Sequence, residues 1–307
     1  MIRDGDRKKS RARAGAAWIA TVVVVIELVV VSGVIDQPVE AWSASCRGKN
    51  SPVKTALNGI DLEQSTHQWF AQQGITILAN DGFDQITAFL ETQDPTAPEV
   101  KSADGAPTGA TQTYGWRLVA GAAAADCELY NEVPDHLHNF WSHKGRGMIL
   151  GKSAANYAEK AFTKATDAWQ AGDRGSAMEW LGASLHLVDD ACVPQHNFFG
   201  VGINHNPYEL WVRSNQQQLA ASSGAVLAGT FRKTTGHGGP SWSSQHPRGW
   251  ADECAHRSAG QLIAASSNVS KTPSPSDPQW RTADHIAFTQ QLSAGYIEFF
   301  FRTVGAP

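Results

Sequence analysis

The sequence predicts an all-α protein, a single-domain helical bundle, and three observations carry that prediction. Apolar residues recur at helical spacing through several long stretches between residues 62 and 304. No stretch alternates convincingly as a strand, and there is no internal repeat, glycine-rich phosphate loop or GxSxG elbow. Finally, His186 with Asp190, and His205 with Glu209, are each four residues apart, a step that puts two side chains on one helix face about one turn apart.

Taken in order, the first forty residues stand apart from the rest. Arg3, Arg7, Lys8, Lys9, Arg11 and Arg13 form a basic segment, Ala14 to Val34 is almost wholly apolar, and Val39-Glu40-Ala41 is a small-x-small cleavage site before Trp42. Residues 1–41 therefore read as an export signal, and residues 42–307 as one secreted domain. The competing reading is an uncleaved membrane anchor, since the apolar run is long enough to span a bilayer, although Glu27 within it would be costly there.

Leu62 to Ala88 has helical periodicity, with a start signal at Ser65-Thr66 and a break at Asn80-Asp81-Gly82. Thr92 to Gly115, rich in Pro, Gly, Thr and Ala, reads as a loop. Ala154 to Trp169 is amphipathic and stops at Gly172-Asp173; Ser176 to Asp189 follows with Ala, Met, Leu and Trp at core spacing. Asn204 is a reasonable N-cap for a helix through Trp211 and Val212, with Pro207 tolerated in its first turn. Thr234–Gly249 and Ser266–Pro278 read as surface segments, and a last helix runs from about Ala287 to Val304.

Nothing in the charge balance resembles a polyanion-binding surface. Of 25 basic and 29 acidic side chains, residues 1–41 hold six and five, which leaves the rest at a net charge of −5. All four cysteines, Cys46, Cys127, Cys192 and Cys254, lie in the exported part, so two disulfides with three possible connectivities are expected. Zinc ligation by these thiols is disfavoured, because they are scattered and show no CxxC step.

Chemistry concentrates in residues 182–209. Of the eleven histidines only His186 and His205 have an acid four residues on, and His196 lies between the two pairs. Imidazole nitrogen with carboxylate oxygen is a donor mix that zinc accepts, so each pair can clamp one cation.

Five segments, HQWFAQQGITILAND from His67, DCELYNEVPDHLHNFW from Asp126, LGASLHLVDDACVPQH, HNPYE and SAGYIEFFF, resemble the catalytic domain of the bacterial zinc-dependent phospholipases C. The resemblance spans essentially all of residues 42–307 and extends to the mature N-terminal tryptophan. It implies three zinc ions. Asp126, His138, His186 and Asp190 would hold the first, His196, His205 and Glu209 the second, and the α-amino and carbonyl groups of Trp42 with His67 and Asp190 the third. Asp190 would bridge two ions and Asp126 would be the general base. His136 and His143 are rival ligands beside His138. An insertion at Arg47–Leu62 lengthens the interval from Trp42 to His67, and Ser45 and Cys127 depart from the family's choline-preferring pattern. The implied activity is hydrolysis of glycerophospholipids at a membrane surface to diacylglycerol and a phosphorylated headgroup by metal-activated water, in a monomer that does not favour nucleic acid. Two alternatives differ in class: a tri-zinc single-strand nuclease, and a non-catalytic secreted zinc-binding protein.

Overall fold

The structure, a computed structural model, describes residues 66–97, 99–101, 107–127, 136–139, 142–145, 151–197, 205–228, 243–259 and 278–306. All lie in the unit Val39–Pro307. The export signal, its cleavage site, Trp42 and the Arg47–Leu62 insertion lie outside the described residues.

Helix α1 (Thr66–Asn80) stops where the sequence breaks: Gly82 turns the chain with φ of 85°, a conformation that costs glycine nothing. Helix α2 (Asp84–Glu91) follows, with Asp84 in its first turn against the positive end of the helix dipole. A short antiparallel pair comes next, β1 (Glu99–Lys101) with β2 (Pro107–Thr111), aligning Glu99 with Thr111 and Lys101 with Pro107. The expected loop at Thr92–Gly115 thus contains a small hairpin. Three paired residues are too few to show a two-residue period, and Pro107 is tolerated because the pair is all edge.

Helix α3 spans Tyr114–Cys127. In α4 (Ala154–Gln170) the stripe Ala154, Ala158, Ala161, Phe162, Ala165 and Trp169 is buried at helical spacing. Gly172, with φ of 83°, turns the chain into α5 (Arg174–Cys192), whose N-cap Asp173 carboxylate accepts from the Ser176 backbone N–H at 3.0 Å. Beyond α5 lie a 3-10 turn (Pro194–His196), α6 (His205–Ser214), the single turn α7 (Gln216–Leu219), α8 (Pro247–Ala259) and α9 (Pro278–Thr303). The last helix begins nine residues before its expected start at Ala287, and α3 and α8 were not anticipated.

Helix α5 is the axis of the bundle, packed against α1, α3, α4, α8 and α9. From Leu181 to Cys192 every residue is buried, so this half of the helix is covered on all sides. Its approach to α3 is closest at two glycines. A methyl group at Gly121 would overlap the Glu179 carbonyl, and one at Gly182 would overlap the Leu118 carbonyl. The two main chains therefore touch, and this contact sets the spacing of whatever projects one turn further on. At the C-terminal end of α5, Cys192 forms a disulfide with Cys254 of α8, which excludes the two connectivities that separate these residues. Closing a chain segment of that length restricts the unfolded state by about 4 kcal/mol on the chain-entropy account. Among the described residues no helix is long and apolar enough to cross a membrane.

Candidate metal centre

One turn beyond the glycine crossing, α3 presents Asp126 and α5 presents His186. The His186 Nδ1–H donates to the Ala122 carbonyl of α3 at 2.7 Å, since a carbonyl only accepts, and this turns Nε2 inward. It lies 3.3 Å from Asp126 Oδ1, 3.1 Å from Asp190 Oδ2 and 3.1 Å from His136 Nδ1.

Asp190, one turn after His186 on α5, is 2% exposed and divides its oxygens between two sets of imidazoles. Oδ2 faces His186 and, at 2.6 Å, His136 Nδ1. Oδ1 faces His67 Nε2 at 3.5 Å and His196 Nδ1 at 3.1 Å. The far nitrogen of His196 is 3.9 Å from Glu209 Oε1, a fully buried carboxylate on α6. The rings of His67 and His186 lie with centroids 3.7 Å apart.

These charges hold one another in unusual states. Burial works against the charge on Asp190, but His186, His136, His196 and His67 outweigh it and keep the carboxyl well below its ordinary range. Burial also opposes the charge on Asp126, which His186 and His136 likewise hold low. For His186 and His136 burial favours the neutral form, yet the facing carboxylates raise both, His186 strongly. Burial, reinforced by the positive His186, lowers His67 to about 4, so it stands neutral as a metal ligand must.

The residues fit a metal centre. Two overlapping groups, His67 with His186 and Asp190, and Asp126 with His136 and His186, each bring their donor atoms within 4.8 Å of one another. The donors are all imidazole nitrogens and carboxylate oxygens, the set that zinc accepts. Asp126 Oδ2 has no hydrogen-bond partner among the described residues, which leaves it available to an ion or to water. Asp126 and His136, 18% and 17% exposed, form the solvent-facing edge of the cluster.

Five expected ligands, His67, Asp126, His186, Asp190 and His196, come together here, and Glu209 joins through His196. Trp42 lies outside the described residues. His205 is the first residue of α6, four before Glu209 as expected, but its side chain is not among those described. His138, expected as the fourth ligand of the first ion, stands elsewhere. Its Nε2 is 3.2 Å from Asp252 of α8, and His136 occupies the place beside Asp126 and Asp190. The twelve-residue step from Asp126 pointed to His138; the path of the segment decides otherwise, because the His138 N–H is tied to the His196 carbonyl at 3.0 Å. Asp252, which lies more than a hundred residues from His138 and His143 in sequence, was not foreseen.

Fold and site together define an all-helical protein with a buried cluster of histidines and carboxylates suited to metal. No family model matches the chain, and no curated protein matches it in sequence. Among solved structures, the alpha-toxin of Clostridium absonum superimposes with a TM-score of 0.58 at 15% identity, covering 80% of this chain. The Clostridium perfringens alpha-toxin from avian strain SWCP gives a TM-score of 0.50 at 17% identity over the same share. The likeness is one of fold, and this chain spans 66% and 65% of the length of those two proteins.

Proposed function

We propose that the protein is a secreted zinc phosphodiesterase of the phospholipase C type, cleaving glycerophospholipids on the glycerol side of the phosphate. The observation that carries this reading is the division of Asp190 between two sets of imidazoles, an arrangement that suits adjacent cations sharing one carboxylate. The helical fold shared with the alpha-toxins, and the motifs resembling zinc-dependent phospholipases C, support it.

Asp126, His136, His186 and Asp190 would hold one zinc ion. His67 with Asp190 would hold a second, together with the amine of Trp42, and His196 and Glu209, with His205, would hold a third. When bound, zinc supplies positive charge for the phosphodiester oxygens and the acidity that makes water a nucleophile near neutral pH. Asp126 sits at the exposed edge with an oxygen to spare, placed to take the proton from the attacking water. The ring of His67 packed on His186 keeps water from the inner side.

The test is release of phosphorylated headgroup from mixed phospholipid vesicles by the zinc-loaded protein, run beside single-stranded DNA and with a chelator. Chelator-sensitive headgroup release with intact DNA is the expected result. Cleavage of DNA alone would move the assignment to a nuclease, and activity on neither would leave a zinc-binding protein without this chemistry.

A further inference from the structure

We infer that His138, His143 and Asp252 form a second, separate site for a divalent cation of the zinc type, one that staples the segment carrying His136 onto helix α8. This inference stands whether or not the main centre hydrolyses phosphodiesters.

All three side chains are buried, at 0%, 6% and 2% exposure, and their donor atoms lie within 4.8 Å of one another. They converge on one carboxylate oxygen: Asp252 Oδ1 is 3.2 Å from His138 Nε2 and 2.7 Å from His143 Nδ1. The tautomer of His138 is set from behind. Ser153 Oγ commits its proton to Asn156 Oδ1 at 3.1 Å, so it accepts from the His138 Nδ1–H at 2.9 Å. His138 Nε2 then faces the Asp252 carboxylate in a buried space. A cation would bridge the two, and the backing hydroxyl is the kind of outer partner that orients metal-ligating histidines. Two imidazoles and a carboxylate, with a fourth position for water, make a zinc donor set.

A second observation points to the same place. His143 is the one non-glycine residue among the described residues with positive φ, at 54°. Its N–H bonds the Asn139 carbonyl, and the Asn139 N–H bonds the Lys144 carbonyl, a pairing that holds His143 with its ring beside Asp252 of α8. Strained backbone of this kind persists where the surroundings require it. The site's position gives it a task. His136 lies two residues before His138, the His138 N–H bonds the His196 carbonyl of the main centre, and Asp252 lies two residues before the disulfide-bonded Cys254. An ion here would fix the approach of His136 to Asp190 by pinning its segment to a helix already tied to α5.

The experiment counts zinc in the loaded, folded protein by elemental analysis. His143→Ala and Asp252→Asn are each expected to lose one zinc per chain, and the double variant to lose no more than either; Asp190→Asn is expected to keep that ion. Unchanged zinc in both single variants, or loss of the whole complement from a variant with native circular dichroism, would overturn the inference. A gain-of-signal variant covers the case in which these changes unfold the chain. His143→Cys loaded with cobalt(II) should show a thiolate-to-cobalt charge-transfer band in the near ultraviolet, and its absence from folded, cobalt-loaded protein would equally overturn the site.

Discussion

Asp190 gives one oxygen to each side of the centre, whereas among the described residues Glu209 meets the cluster through His196. Removing its charge therefore disturbs two sets of ligands. Asp190→Asn is expected to retain less zinc per chain than Glu209→Gln, by elemental analysis of the two purified proteins; equal loss, or the reverse order, would count against the bridging role. A second expectation concerns His285, buried on α9 with its Nε2–H donating to the Cys192 carbonyl at 2.6 Å. Burial lowers its pKa, so the ring is neutral in the fold and ordinary in the unfolded chain. Its contribution is complete above the unfolded value near 6.5 and is lost as pH falls through and below it. Glutamine keeps a donor without titrating. The stability advantage of the native protein over His285→Gln should therefore shrink between about pH 8 and about pH 5, measured as thermal unfolding of the two side by side. At this scale the sequence was informative where ligands share a helix, as His186 and Asp190 do. It favoured His138 over its rival His136, because both belong to one HLH step and the hydrogen bond to His196, invisible in sequence, decides which ring reaches the centre.

The crossing of α3 and α5 positions the first two ligands by direct contact of main chains. Gly182→Ala would drive a methyl group into the Leu118 carbonyl, which has no rotamer by which to yield. We expect a loss of about 2 to 3 kcal/mol in denaturant unfolding, together with reduced zinc content, because the helices must part and carry His186 away from Asp126. A stable variant with full zinc would refute this account. Helices α1, α4 and α5 were legible because their apolar residues keep helical spacing and their ends carry Gly82, Gly172 and Asp173. Helices α3 and α8 were not. The run AGAAAA in α3 is small and buried throughout, and in α8 Trp250 to Ala255 are all buried, so neither shows the contrast between faces on which periodicity depends.

For the molecule as a whole, the centre draws on α1, α3, the segment at His136, α5, the 3-10 turn and α6, so an ion bound there joins elements from distant parts of the chain. Buried carboxylates and imidazoles favour the fold most when a cation compensates them, and the free energy of binding becomes free energy of folding. Chelation should lower the melting temperature and zinc should restore it; free zinc at a thousand times its dissociation constant is worth about 4 kcal/mol per site. An unchanged melting curve after verified metal removal would refute the dependence. The all-helical architecture was legible at this scale because most elements are long and amphipathic. The small hairpin was not, since three residues carry no period.

The glycine crossing also bears on how far such a chain can drift. Where the separation of two ligands is set by main chain against main chain, the apolar residues around the crossing can be exchanged without altering it. Leu118, Val119, Leu181 and Leu185 should accept volume-conserving replacements in combination while zinc content holds, whereas Gly121 and Gly182 should tolerate almost nothing larger. A chemical centre so insulated from its surroundings leaves the composition around it free to wander.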